Sequence, residues 1–171
     1  MADCKEIGVT SCVVHSVAVT AERVEAINDY ISSECEKHKE FFGFGTMHAD
    51  FENKIEEVQR CFDMGLKGVK IHPDTQLFNM DDERMFELYD FLQQTKTPIL
   101  IHTGDYRYDF SHPRRLKNIL KQFPDLIAIG AHFGGWSMHD LALEYLKDAV
   151  SNSQYLDAML RSLEYAFFST L

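Results

Sequence analysis

A strand-like apolar run recurs about every thirty residues along this chain, and a helix-like stretch fills each interval. The runs are SCVVHSV (11–17), FFGFGTM (41–47), GVKIHP (68–73), PILIHTGD (98–105), LIAIGAHFGG (126–135) and a shorter QYLDA (154–158). Such alternation leaves few ways to fold. Strands joined by crossover helices lie parallel, with right-handed connections. The central run, Ile99 to Ile101, has no polar break, as a strand covered on both faces requires. Two architectures fit: an open doubly wound sheet and a β/α barrel. The first has phosphate fingerprints, GxGxxG or GxxxxGK[ST], and neither occurs here. In LIAIGAH, Ala128, Gly130 and His132 share one face, and small residues beneath a terminal histidine leave room in a barrel lumen. A full barrel takes eight units and typically about 250 residues. The reading is therefore α/β: an incomplete TIM-type (β/α) barrel of about six parallel βα units, in one domain over residues 1–171.

The intervals carry helix punctuation. Thr20, Asp50, Asp81 and either Ser111 or His112 stand where N-caps belong, with Pro113 in the first turn. Val24, Ile27 and Ile31 make one apolar face. Phe51, Ile55, Val58 and Phe62 make a second, which Gly65 ends. Met85, Leu88, Tyr89 and Leu92 make a third. Ser137 with Asp140 resembles a capping box. Gly43 and Gly45 share one side of their strand, which asks for a closely approaching element or a crowded lumen.

Composition narrows the partners. A formal net charge of −10 disfavours nucleic acid and anionic membrane, both of which need a basic surface. No apolar run approaches the roughly 18 residues of a membrane helix. Cys4, Cys12, Cys35 and Cys61 form no CxxC pair and no leader is evident, so reduced thiols and a cytoplasmic location are expected.

The strand ends carry the chemistry. His15, His48, Lys70, His72, His102, Asp105, His132 and Asp157 would line the C-terminal mouth of a barrel. A lone strand-end histidine is usually a packed, hydrogen-bonded residue. His102 and His132, one βα unit apart in matching positions, turn the balance toward a metal or acid–base site. Neutral imidazole and carboxylate suit zinc. Without an HExxH helix or a cysteine pair, any such site is assembled from separate strands. No GxSxG elbow supports a serine nucleophile. Lys70 faces inward beside His72, which is unusual for a lysine without a partner. Asp105 reads equally well as a turn residue.

GLKGVKIHPD, PILIHTGD, FPDLIAIGAHFGGW and QYLD, in this order and spacing, resemble the amidohydrolase superfamily, most closely the metal-dependent amidohydrolase 2 branch. The resemblance runs from about Gly8 to Asp157. It implies a β/α barrel that uses a divalent metal, usually zinc, to activate water on small-molecule substrates. Hydrolases of amides and lactones and non-oxidative decarboxylases both belong to it. By this resemblance His102 is a metal ligand. His132 is a second ligand or the proton shuttle, and His72 lies on the substrate side. The family's first-strand HxH would fall before Met1 and its eighth-strand Asp after Leu171. Further expectations follow: weak zinc binding by this chain alone, association through open sheet edges, and a rival reading as a non-catalytic binding or assembly module.

Overall fold

The computed structural model describes residues 8–142 and residue 144. Five strands, β1 (Cys12–His15), β2 (Phe41–Thr46), β3 (Gly68–Ile71), β4 (Ile99–Ile101) and β5 (Ala128–Gly130), form one sheet in the order β1-β2-β3-β4-β5, every pair parallel. Crossovers are carried by α1 (Val24–Lys37), α2 (Lys54–Asp63), α4 (Phe86–Gln94) and α5 (Pro113–Gln122), with a single turn, α3 (Pro73–Gln76), after β3. This is the expected incomplete TIM-type barrel. The sixth run, 154–158, and Asp157 with it, lie outside the described residues.

The core lies between the sheet and its helices. Val69, Ile71, Ile99, Ile101 and Ala128 from the strands meet Val58, Leu88, Tyr89, Leu92 and Ile119 from the helices. Each fully buried aliphatic side chain here contributes roughly 1.5–3 kcal/mol. The apolar stripe expected for α4 is intact, with Met85, Leu88, Tyr89 and Leu92 all wholly buried. Gly43 and Gly45 also face the helices. A Cβ on Gly43 would stand 2.5 Å from Leu66 and 3.0 Å from Ile31 of α1. Close approach of another element, and not a crowded lumen, is what these glycines serve.

Three sequence expectations are corrected. Ala128 packs in the helix-side core, and a Cβ on Gly130 would meet Leu116 of α5 at 3.2 Å. The small residues therefore line the helix face of β5 and leave no room in the lumen. The strand itself ends at Gly130, short of His132. The caps also move. Asn53, not Asp50, precedes α2, while the carboxylate of Asp50 pairs with Arg84. Asp82, not Asp81, accepts from Arg84 N, while Asp81 pairs with Arg115 at 2.6 Å. The Thr20 side chain makes no cap bond. His112 is the cap of α5, its Nδ1 accepting from Arg114 N. Ser137 bridges loops instead of capping, accepting from Tyr106 N and donating to Gly104 O.

One side chain ties the strand ends together. The amide nitrogen of buried Gln76 donates to Ala18 O and Met47 O, both at 2.7 Å, and its oxygen accepts from His72 N at 2.7 Å. The extensions of β1, β2 and β3 thus meet on one amide. Gln76→Leu strands two buried carbonyls and one N–H, each worth about 1–3 kcal/mol. The expected loss is roughly 3–5 kcal/mol in urea denaturation. A loss below about 1 kcal/mol would show that the clamp is not structural.

Candidate active site

β3 and β4 end side by side, and their next residues are histidines. His102 follows Ile101, its N–H donating to Ile71 O at 3.2 Å, so it stays in register with the end of β3. His72 follows Ile71, and the two rings stack with centroids 3.8 Å apart and planes 10° apart. The chain then enters α3 through Pro73, which places Asp74 in the first turn. Asp74 Oδ2 lies 3.5 Å from His102 Nε2. The same carboxylate accepts from Ser111 Oγ at 2.6 Å and Ser111 N at 3.1 Å, which fixes its plane.

His132 arrives differently. After Gly130 the backbone turns, and both His132 (φ 57°) and Phe133 (φ 56°) are left-handed. Non-glycine residues there cost roughly 1–2 kcal/mol each. The turn is held from the β4 side. Thr103 Oγ1 donates to Ala131 O at 2.7 Å, and Trp136 N and Ser137 N donate to Thr103 O and Gly104 O, both at 2.9 Å. Gly104 (φ +79°) cannot be replaced in this seam, because a Cβ there would lie 2.3 Å from Gly135 Cα. The result brings the His132 ring edge-on to His102 at 5.0 Å and against Trp136 at 4.5 Å.

The site histidines are neutral at pH 7. Burial, then His72 and Lys70, lowers His102 to about 3. Burial, then Lys70, lowers His72 to about 4 and also lowers His132. Burial raises Asp74 above its usual range, against the hydrogen bonds from Ser111. Burial alone brings Lys70 to about 8.

His102 and Asp74 are placed to share a divalent cation, with the His72 ring stacked beside them. Ligating atoms of His72, Asp74 and His102 all lie within 4.8 Å of one another. A tetrahedral centre with bonds of about 2.0–2.1 Å has edges of about 3.3–3.4 Å. The 3.5 Å between His102 Nε2 and Asp74 Oδ2 is close to such an edge. Neutral imidazoles offer lone pairs, and a carboxylate raised by burial gains from a counter-charge.

The sequence-picked residues thus divide. His72, His102 and His132 converge. His15 ends β1 as an exposed residue and does not join the His72, Asp74 and His102 group. His48 is withdrawn: Nδ1 accepts from Asp50 N, Nε2 lies 3.3 Å from Gln76 O, and Phe78 packs edge-on. It is a satisfied packing histidine. Asp105 is a turn residue, accepting from Arg107 N and from its guanidinium. Asp74 and Ser111 are additions. The signal for Asp74 stood in the HPD triplet, where the aspartate reads as an ordinary first-turn acid.

Parallel strands with polar side chains gathered at their C-terminal ends are the arrangement of a TIM-type α/β barrel. The amidohydrolase family model matches residues 3–154, and the chain belongs to that family. Among curated proteins it is similar to 2-amino-3-carboxymuconate-6-semialdehyde decarboxylase of Dictyostelium discoideum. That match is 29% identical over 79 residues and covers 44% of this chain and 22% of that protein. Among solved structures it is similar to an uncharacterised TIM-barrel protein of Bordetella bronchiseptica, with TM-score 0.68, 18% identity, and coverage of 84% of this chain and 53% of that one. It is also similar to 5-carboxyvanillate decarboxylase of Sphingomonas paucimobilis, with TM-score 0.60, 17% identity, and coverage of 85% and 57%. The chain thus spans about half the length of these solved structures and about a fifth of the curated relative. No helix among the described residues is long and apolar enough to cross a membrane.

The pKa displacements have a defined sign. His72 and His102, at about 4 and about 3 when folded, lie below the free value of 6.5, so the unfolded chain takes up protons first. Stability should be full above pH 6.5 and fall as pH drops toward 3. Lys70, at about 8 against 10.5, makes stability rise with pH between those values. Urea midpoints across pH, with chelator present, should show the first slope. Lys70→Met should remove the contribution of the second window. A midpoint flat from pH 6.5 to 4 would contradict the buried, neutral histidines.

Proposed function

We propose that these strand ends form part of a metal-dependent enzyme site of the hydrolase type acting on a small molecule. The observation that carries it is the grouping of His72, Asp74 and His102, with ligating atoms within 4.8 Å of one another, at the mouth of the half-barrel. Two imidazoles and one carboxylate make the three-ligand set that catalytic zinc takes, with a further position left for water or substrate. A divalent cation held there, zinc foremost, would supply Lewis acidity. His102 and Asp74 are its principal ligands, with Ser111 fixing the carboxylate. His72, stacked on His102 with Nδ1 3.1 Å from Thr75 Oγ1, stands on the substrate side and becomes the third donor on a turn of its ring. His132 lies outside the donor group. Neutral at pH 7 and steadied by Trp136, it is the residue that takes and returns a proton. All of this belongs to one domain over residues 1–171.

A second reaction has its own support. The curated relative is named a decarboxylase, and so is one of the solved structures of similar fold. In that reading the same residues serve non-oxidative decarboxylation, with His132 delivering the proton that replaces the departing CO2.

Elemental analysis after loading with Zn2+ or Mn2+ tests the site. One equivalent is expected in the wild type at saturating metal, since Asp74 adds a ligand that the weak binding expected from the sequence did not include. His102→Ala and Asp74→Asn should each weaken retention at least about 10-fold. His132→Ala should leave metal retention intact and remove turnover in the panel. That panel pairs aromatic acids, followed by CO2 release, with amides and lactones. Unchanged metal retention in the His102→Ala, Asp74→Asn double variant would overturn the assignment. A chain that retains no metal would return the reading to a binding or assembly module.

A further inference from the structure

Thr103 follows His102 directly and is wholly buried. It meets the turn that carries His132 at both ends. Ahead of the turn, its Oγ1 donates to Ala131 O at 2.7 Å. Beyond the turn, its carbonyl accepts from Trp136 N at 2.9 Å. Between these two anchors lie His132 and Phe133, both left-handed. Packing does little to hold that pair. Phe133 is 50% exposed, and Trp136, against which the His132 ring rests at 4.5 Å, is 52% exposed. The bond from Gly135 N to His132 O at 3.0 Å closes the turn on itself and does not fix where it points. Two successive non-glycine residues stay left-handed only where their surroundings over-determine them. Here the surroundings are hydrogen bonds, and both flanking ones end on Thr103.

The two anchors differ in kind. Any residue at 103 supplies the carbonyl, whereas the bond to Ala131 O needs a side-chain donor. We infer that Thr103 is a positioning residue for His132: its hydroxyl, acting through Ala131 O, sets the imidazole beside the end of β4, 5.0 Å from the His102 ring. Because His102 and Thr103 are neighbours in the chain, the metal ligand and the proton carrier are referred to one short piece of backbone. A misplacement of about 1 Å at such a group can cost roughly 100-fold in rate, so the hydroxyl matters to turnover without touching substrate. The inference rests on the proposed reading only for what the ring does once it is placed.

Trp136 is the only tryptophan of the chain, so its near-ultraviolet circular dichroism and emission report the contact with His132. Thr103→Val keeps the branched shape and removes the hydroxyl, and Thr103→Ser keeps the hydroxyl. His132→Ala supplies the spectrum of Trp136 without its neighbour. In the metal-free chain, Thr103→Val is expected to move toward that spectrum and Thr103→Ser to stay with the wild type. Thr103→Ala replaces Thr103→Val if that variant does not fold. In the zinc-loaded chain, Thr103→Val should retain metal as the wild type does and lower kcat about 10- to 100-fold with KM little changed. Thr103→Ser should recover most of kcat. A residue that only supports the fold would lose metal and kcat together. An unchanged Trp136 spectrum in Thr103→Val, metal lost in step with kcat, or no recovery in Thr103→Ser would each overturn the inference. A wild type without turnover would overturn the proposed reading instead, while the metal-free spectra would still decide whether Thr103 places the ring. The two failures are therefore distinguishable.

Discussion

The site depends on the amide of Gln76. Parallel strands end in free carbonyls and N–H groups, and in a barrel these ends are also where the active side chains emerge. By accepting from His72 N and donating to Ala18 O and Met47 O, one residue satisfies the ends of three strands. It also fixes the direction in which the chain leaves β3. That direction sends Pro73 into a helical turn and swings Asp74 back over the end of β4. Without it the backbone after Ile71 would have no reason to bring a carboxylate to His102. The geometry of the candidate metal site is therefore set by a residue that has no part in its chemistry.

Much of the architecture was legible in the sequence, because alternation of strand and helix is a period that survives local detail. The apolar stripe at Met85, Leu88, Tyr89 and Leu92 was legible for the same reason. Capping was not. Asp50 and Asp81 are good local caps, but Arg84 and Arg115, more than thirty residues away in the chain, take their carboxylates. Charged pairing across the fold outcompeted one capping hydrogen bond, and only tertiary structure reveals such a partner. Asp74 was hidden likewise, since its significance comes from Ser111, 37 residues on.

Electrostatically the mouth is arranged around burial. His72, His102 and His132 are crowded beside one another and beside a lysine, and each additional positive charge would repel the rest. The imidazoles answer by staying neutral, which keeps their lone pairs available. The lysine cannot do so as easily, because even at about 8 it remains mostly protonated at neutral pH. The histidines and the lysine thus differ in kind, neutral lone-pair donors beside a positive charge.

The placement of His132 shows why strand periodicity alone cannot assign a barrel site. Alternation gives two faces but does not say which one is inside. On β5, Ala128 and Gly130 turn out to face the helices. An uninterrupted strand would have carried His132 to that same side, away from His102. The chain avoids this by ending β5 at Gly130 and passing through two left-handed residues, which reverses the parity and returns the ring to the mouth. The conformational cost is met by hydrogen bonds from Thr103, Trp136 and Ser137, and by a glycine at 104 that lets the two loops touch. Strain of this kind persists only where the surroundings over-determine it. Here it brings the His132 ring to 5.0 Å from that of His102, where a regular strand would have failed.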